Sequence, residues 1–131
     1  MNADKEKEDE RLKKITEQVI GAAFKVSNTL GVGFLEKVYR NALAYEIRKC
    51  GLNVLQEQPI IVKYENVVVG DYHADLLIEN CVIVELKVAK AFDDIHAAQC
   101  LNYLRATGLK ICLLINFGLP RIEIKRIVLN A

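Results

Sequence analysis

Two carboxylates and a lysine near the middle of the chain, Asp75, Glu85 and Lys87, have the residue types and spacing that most strongly indicate chemistry. Glu85 and Lys87 stand two positions apart in an apolar run typical of a strand, so their side chains point to one face of the sheet. Asp75 precedes Glu85 by ten residues, on the strand before it. Carboxylate oxygens are the hard ligands that Mg²⁺ prefers, so the pattern indicates a divalent cation site.

The turn between these two strands decides whether the carboxylates meet. A two-residue turn would place Asp75 and Glu85 on opposite faces of the sheet, whereas a three-residue loop, Glu79–Cys81, would pair them directly. Asn80 tolerates the left-handed conformation that such a loop needs. Composition favours the three-residue loop. Alternate positions of the strand that carries Glu85 then form an apolar face on the side of the sheet opposite the carboxylates. These positions are Val82, Val84 and Leu86.

The clustered register favours a bound metal over a simple ion pair. Two carboxylates on a half-buried face repel each other and lose hydration unless a cation lies between them. Lys87 can neutralise only one of them, whereas a divalent ion would neutralise both. The alternative is an exposed salt bridge between Glu85 and Lys87, which would contribute little to stability. The surrounding apolar strand and the upstream aspartate favour the metal site.

Asp75 followed by the E-x-K triplet at 85–87 resembles the signature of the PD-(D/E)XK nuclease superfamily. Residues 33–39 read G-x-x-E-x-x-Y, the pattern that names the GxxExxY family of small prokaryotic proteins similar to these nucleases. Residues 99–103 read Q-x-x-x-Y and resemble the RecB-type and phage lambda exonuclease branch. The resemblance covers residues 15–129 and implies a restriction-endonuclease-like core.

The resemblance implies hydrolysis of phosphodiester bonds with Mg²⁺ or Mn²⁺ as the cofactor. Asp75 and Glu85 would bind the ion together with the backbone carbonyl of Leu86. Glu36 would be a further acidic ligand, directly or through water. The alternative for Glu36 is that a glutamate in the first turn of a helix only stabilises the helix dipole. Lys87 would orient the attacking water and stabilise the charge that develops on the phosphate.

The Q-x-x-x-Y helix and one histidine are expected to contact the substrate. Gln99 and Tyr103 would position the scissile phosphate or a nearby base, because a spacing of four puts both on one helical face. The alternative is an ordinary polar edge of the helix, beside an apolar stripe of Ala97, Leu101 and Leu104. His73 stands where an arginine is frequent in the family, and it would contact phosphate or Asp75 unless it is structural. Tyr39 is interpreted as a packing residue that supports Glu36.

The charge of the chain is nearly balanced but unevenly distributed. The chain has 131 residues, 52% of them hydrophobic and 27% charged, which excludes a wholly disordered protein. A net charge of +1 argues against a strongly basic nucleic-acid binder. However, residues 66–94 carry two basic and six acidic side chains, and residues 95–131 carry five basic and one acidic. The basic end would follow a nucleic-acid backbone beside the acidic metal site. The candidate nucleic-acid contacts are Arg40, His73, Lys90 and Arg105.

The elements that position these residues begin with two helices. Apolar residues at steps of three and four from Leu12 to Leu30 predict the first helix, which Gly31 would end. The second helix is predicted over residues 35–49. The alternating charges of residues 1–14 are expected to fray as an extension. The single nuclease-like domain is therefore predicted to cover residues 15–131.

A sheet with one intervening helix is predicted for the rest of the chain. From Val54 the apolar period changes to two, which predicts three strands. A third helix follows between an aspartate cap, at 93 or 94, and Gly108. The apolar run 111–115 predicts a strand covered on both faces, and residues 122–127 predict an edge strand. The order ααβββαββ indicates an α/β (α+β) fold, with a central mixed sheet and helices on both faces.

Three functions fit this pattern. The first is a metal-dependent nuclease, most readily on DNA, and the second is a Holliday-junction resolvase-like homodimer, since archaeal resolvases of this superfamily are similarly small. The third is a non-catalytic module that keeps the fold and binds nucleic acid or protein. No apolar run approaches the roughly 18 residues of a membrane span, so we expect a cytoplasmic protein without a membrane partner. The four cysteines lack metal-site spacing and are expected to be reduced, mostly buried thiols.

Overall fold

A computed structural model describes residues 3–129 of the chain. It has three helices and five strands in the described range, in the predicted order ααβββαββ. Their bounds are α1 Ala3–Leu30, α2 Glu36–Lys49, β1 Val54–Tyr64, β2 Val67–Ile78, β3 Val82–Lys87, α3 Asp94–Thr107, β4 Ile111–Asn116 and β5 Glu123–Val128. The predicted fold class is confirmed.

The five strands form one mixed sheet in the order β1-β2-β3-β4-β5. Strands β3 and β4 are parallel, because α3 crosses between them, and the other neighbouring pairs are antiparallel. Strand β4 is buried at all six positions, as its continuous apolar run predicted. Strand β3 lies next to it in the middle of the sheet, and the E-x-K triplet at its end is paired with β4.

Helices cover both faces of this sheet, as predicted. Helices α1 and α2 pack on one face, where residues such as Val84 and Leu113 form what we call the α1–α2 core. Helix α3 packs on the other face, where Ile83, Cys112 and Leu114 belong to what we call the α3 core. Alternate residues of β3 therefore enter different cores.

Helix α1 starts earlier than the sequence suggested. The segment expected to fray, residues 1–14, is helical from Ala3 onward, and its first two residues lie outside the described range. Glu8 pairs with Lys110 at 3.3 Å, and Arg11 pairs with Glu79 at 3.3 Å, so this end of the helix contacts the rest of the chain. Charges of alternating sign also support a solvated helix through pairs on neighbouring turns. The domain boundary at residue 15 stays a prediction. No helix in residues 3–129 is long and apolar enough to cross a membrane.

The side chains of β1 and β2 switch from one face of the sheet to the other beside the predicted metal ligands. Glu57 has a left-handed backbone with φ of 52° in the middle of β1, opposite Asp75. Ala74 and Leu76 stand two residues apart and would point the same way in a regular strand. Ala74 instead lies in the α3 core and Leu76 in the α1–α2 core. The outer half of the β1–β2 hairpin is thus turned relative to the sheet, and Asp75 occupies the switch.

None of the four cysteines, all within the described residues, forms a disulfide. Cys100 and Cys112 are buried in the α3 core. Cys81 is half-buried and Cys50 is exposed, so burial is complete for only two of the four.

Candidate active site

The β2–β3 loop has the three-residue form that the sequence favoured. Leu76 pairs with Val84 and Ile78 with Val82, which leaves residues 79–81 as the loop. Its first two residues, Glu79 and Asn80, both take positive φ, 51° and 55°. The register places Asp75 opposite Glu85 on one face of the sheet.

Where β2 and β3 separate, hydrogen bonds from backbone N–H groups to the two carboxylates take the place of the backbone–backbone hydrogen bonds between the strands. The regular pairing ends at Leu76 and Val84. Beyond that point the backbone N–H of Asp75 donates to Glu85 Oε1 at 3.1 Å, and the N–H of Leu86 donates to Asp75 Oδ2 at 2.8 Å. Each side chain is fixed through one oxygen to the opposite strand. The other Asp75 oxygen, Oδ1, lies 3.9 Å from Arg40 Nη1.

Burial makes this carboxylate pair electrostatically demanding. Glu85 is 4% exposed. Loss of hydration, and then the neighbouring charge of Asp75, raise the pKa of the Glu85 carboxyl from 4.5 to about 9. Ionisation of both carboxylates is therefore disfavoured near neutral pH. A divalent cation between them would neutralise both charges, and the oxygen donors fit such an ion.

An arginine on α2 already lies against this pair. Arg40 Nη1 is 3.9 Å from Asp75 Oδ1, and its Nη2 is 3.4 Å from Glu57 Oε1. The Arg40 Nε atom is buried and has no hydrogen-bond partner among the described residues. The guanidinium is thus held by long ion pairs with one donor unused. Glu57 was missed by the sequence analysis, because nothing in the composition of β1 signals its left-handed backbone.

Glu36 shares the electrostatic environment of the pair but does not join it in a three-carboxylate cluster. It is the first residue of α2. Burial and the charge of Asp75 raise the pKa of the Glu36 carboxyl, while Lys87 and Arg40 act in the opposite direction. No group of three or more His, Cys, Asp or Glu side chains within residues 3–129 is arranged to hold a metal ion. Glu36 as a ligand, directly or through water, stays a prediction.

Tyr39 fixes the start of α2, which agrees with its interpretation as a packing residue. Its side chain is fully buried and its ring stacks on Phe117, with centroids 5.0 Å apart. Its hydroxyl donates to the Gly31 carbonyl at 2.6 Å and accepts from the Phe34 N–H at 3.2 Å. These bonds close the loop before α2 and hold the helical turn that carries Glu36.

Replacing Tyr39 with phenylalanine is expected to lower the free energy of unfolding by about 1–3 kcal/mol, because two backbone groups in a partly buried loop lose their partner. The measurement is urea denaturation followed by circular dichroism. Tyr45→Phe is the matched control, because Tyr45 lies on the same helix but is 63% exposed. Equal stability of the two variants would show that the Tyr39 hydroxyl does not hold the loop.

The segment after the E-x-K triplet is held by a residue that the sequence analysis missed. Asn116 is fully buried at the end of β4, next to Lys87 in the register. Its Oδ1 accepts from the N–H groups of Ala89 and Gly118 at 3.1 and 2.9 Å, and its Nδ2 donates to the Ala89 carbonyl at 2.9 Å. A Cβ at Gly118 would lie 2.5 Å from Ala89 backbone atoms. A polar residue directly after the apolar run 111–115 was the available signal.

Gln99 and Tyr103 of the Q-x-x-x-Y motif are hydrogen-bonded to each other, and Tyr103 is more deeply buried than expected. Gln99 Nε2 lies 2.8 Å from Tyr103 Oη, so the two side chains share one helical face. The predicted apolar stripe was inaccurate, because the buried residues of α3 are Cys100, Tyr103 and Leu104. Burial and the nearby charge of Glu85 raise the pKa of Tyr103 to about 12. Tyr103 therefore stays a neutral phenol near neutral pH.

The four candidate nucleic-acid contacts occupy different surroundings. Arg40 lies at the carboxylate pair, as described above. Arg105 is exposed on α3 and donates to Asn102 Oδ1 at 3.0 Å. Lys90 is exposed in the loop after β3, and His73 is exposed on β2. Only Arg40 is thus placed beside the carboxylates by a contact.

Comparison with known proteins decides the family. Residues 13–127 match the sequence profile of the PD-(D/E)XK nuclease superfamily. The chain belongs to this superfamily. No curated protein matches the chain. The resemblance drawn from Asp75 and the E-x-K triplet is confirmed at superfamily level, and PD-(D/E)XK nucleases generally use divalent metal ions.

Two solved structures are similar to this PD-(D/E)XK protein. One is the crystal structure of SSO0001, with 16% identity, a TM-score of 0.53, and coverage of 72% of this chain and 50% of that one. The chain thus spans half the length of that protein, and the likeness supports the fold alone. The other is an alkaline exonuclease (LHK-Exo) from Laribacter hongkongensis, with 13% identity, a TM-score of 0.43, and coverage of 88% of this chain and 82% of that one.

Proposed function

We propose that the protein is a metal-dependent nuclease that hydrolyses phosphodiester bonds in DNA, with Mg²⁺ or Mn²⁺ as its cofactor. One observation carries the proposal. Backbone N–H donors hold the Asp75 and Glu85 carboxylates opposite each other. Burial and mutual repulsion disfavour ionisation of both carboxylates, and a bound cation would offset that cost. Membership of the PD-(D/E)XK superfamily supports the same chemistry.

The residues that would hold the ion are Asp75 and Glu85, with the Leu86 carbonyl and with Glu36 through water. Magnesium commonly binds through one or two carboxylates and keeps several water molecules, so this donor set is sufficient. When bound, the ion would lower the pKa of a water molecule and neutralise charge on the phosphate. Hydrogen bonds from the Asp75 and Leu86 N–H groups orient the carboxylates in advance, which reduces the reorganisation that binding requires.

Two cationic side chains would act on the substrate. Lys87 follows Glu85 by two residues on β3, so its ammonium would orient the attacking water and stabilise the charge that develops on the phosphate. Arg40 has a buried Nε without a partner in the described range and only long ion pairs at its other nitrogens. A phosphate oxygen would give these donors a closer partner than Glu57 does.

The Gln99–Tyr103 pair would position the scissile phosphate from α3. Tyr103 remains a neutral donor because its pKa lies at about 12. The Gln99 amide group fixes the orientation of the phenol through the 2.8 Å hydrogen bond. The phenol hydrogen is therefore available to a phosphate oxygen on the side of the carboxylates.

Removal of divalent metal is expected to lower the rate of DNA cleavage by about 10³-fold or more, because the carboxylates alone cannot activate water. The measurement compares end-labelled single-stranded, duplex and four-way-junction DNA with EDTA, Mg²⁺, Mn²⁺ or Ca²⁺. Cleavage that persists in EDTA would contradict the proposal. Absence of cleavage of all three substrates with Mg²⁺ and Mn²⁺ would also contradict it and would favour the non-catalytic module.

A further inference from the structure

A concave site lies between the β1–β2 hairpin and α3, and it is lined by Gln99 and Tyr103 of the candidate active site. Its volume is about 580 Å³, within the range of ligand pockets. The cleft exists because the hairpin is turned at Glu57 and Asp75, which brings its outer half over α3. Its walls include Val62, Tyr72, Ile95, Gln99, Tyr103 and Arg105.

Two tyrosines form an aromatic wall of this cleft. The rings of Tyr72 and Tyr103 have centroids 5.8 Å apart and are tilted by 50°. Tyr72 is 47% exposed, so part of its ring is free to contact a ligand. Tyr103 is buried, and the charges of Glu85 and Asp75 both raise its pKa. Tyr103 also lies in the α3 core with Ile83, which points to the same side of β3 as Glu85, so the aromatic wall adjoins the candidate metal site.

The remaining lining indicates which part of a DNA strand would enter. Arg105 is the one charged residue among the lining residues, and a groove that follows a phosphate backbone would carry several cations. Ile95, 66% exposed, adds apolar surface at the rim. Gln99 and Asn102 add amide groups that can meet the polar edge of a heterocycle. Aromatic and apolar walls with amides at the edge suit a flat nucleobase.

We propose that this cleft binds one unpaired nucleobase of the DNA strand that is cleaved, next to the scissile phosphate. The identity of the ligand as a DNA strand rests on the proposed function. A base stacked within a duplex cannot enter a cleft between a hairpin and a helix, so the strand must be single or locally opened. Tyr72 supplies the stacking surface, and Tyr103 connects the bound base to the phosphate position.

The test compares variants of the cleft for binding of a fluorescein-labelled deoxythymidine oligonucleotide and of a labelled duplex, by fluorescence anisotropy with Ca²⁺ in place of Mg²⁺. Tyr72→Ala removes the stacking ring, and Ile95→Glu adds repulsive charge at an exposed position that carries little folding risk. Tyr72→Phe keeps the ring. Tyr64→Ala is the matched control, because Tyr64 is an exposed tyrosine of the same hairpin but does not line the cleft.

We expect Tyr72→Ala and Ile95→Glu to weaken single-strand binding by about 5-fold to about 100-fold, the range for loss of one stacked base. Tyr72→Phe, Tyr64→Ala and duplex binding should stay at wild-type values. Unchanged single-strand affinity in both cleft variants would overturn the proposal, as would equal loss for single strand and duplex. Absence of single-strand binding by the wild type would overturn it too.

Cleavage is measured separately on the wild-type protein with Mg²⁺, so the two proposals can fail independently. Tyr72-dependent binding without any cleavage would leave the base site standing and contradict the nuclease. Cleavage by a protein whose single-strand affinity is unchanged by Tyr72→Ala and Ile95→Glu would support the nuclease and overturn the base site.

Discussion

Replacing Asp75 with asparagine is expected to lower the rate of metal-dependent DNA cleavage by about 10³-fold or more, while the protein stays folded. Asparagine keeps an oxygen that can accept the 2.8 Å hydrogen bond from the Leu86 N–H. It lacks the negative charge that, together with Glu85, would hold a divalent ion. The change therefore removes the charge with little loss of local structure.

The control for this variant is Asp71→Asn, because Asp71 is an exposed aspartate on the same strand. It should cleave like the wild type. Isothermal titration with Mn²⁺ provides a readout independent of substrate, and heat of binding should be lost in the Asp75 variant only. Cleavage by Asp75→Asn at the wild-type rate would contradict the assignment of the site. Loss of cleavage in both variants would indicate a disturbed strand β2 rather than a specific role of the Asp75 carboxylate.

The meeting of Asp75 and Glu85 could be predicted because the composition of one strand favoured one of the two registers that the turn left open. Strand β3 places Val82, Val84 and Leu86 in the α1–α2 core, and a slip of one residue would have exposed this apolar face. The three-residue loop followed from that constraint. The fold order could be predicted for a similar reason, since the period of apolar residues changes from helical to alternating near Val54.

The surroundings of the pair could not be predicted, because they depend on backbone conformations that composition does not encode. Glu57 takes a left-handed conformation that is uncommon for a residue with a side chain, and this places it beside Arg40. The same switch brings Tyr72 over α3 and creates the cleft. Tyr103 was expected on a helical face that contacts substrate, away from the apolar stripe of α3, but it is buried in the α3 core beside the ring of Tyr72.

The raised pKa of Glu85 has a consequence for stability that can be measured without any substrate. The folded protein without metal holds a proton on Glu85 over the range between the ordinary pKa of 4.5 and about 9, whereas the unfolded chain has lost it. Because the folded state binds more protons in this range, its stability falls as the pH rises. The charges of Asp75 from β2 and Cys100 from α3 disfavour the ionised form of Glu85, whereas the Asp75 backbone N–H favours it. Tyr103 and Cys112 also interact with the charge of Glu85.

Replacing Glu85 with glutamine is therefore expected to stabilise the metal-free protein. The gain should be small near about pH 5 and rise to about 2–4 kcal/mol near about pH 8, since each pKa unit corresponds to about 1.4 kcal/mol. The measurement is chemical denaturation in EDTA across this range, with Glu123→Gln, an exposed glutamate of β5, as the control that should show no such trend.

Added Mg²⁺ should stabilise the wild type but not the Glu85 variant, because the ion replaces the proton at an intact carboxylate pair. A variant less stable than the wild type near pH 8, or an offset that does not change with pH, would contradict the account of a buried, mutually repelling pair. Stability and the proposed activity are thus opposed at Glu85, because the carboxylate that nuclease chemistry would need is the one that destabilises the metal-free protein.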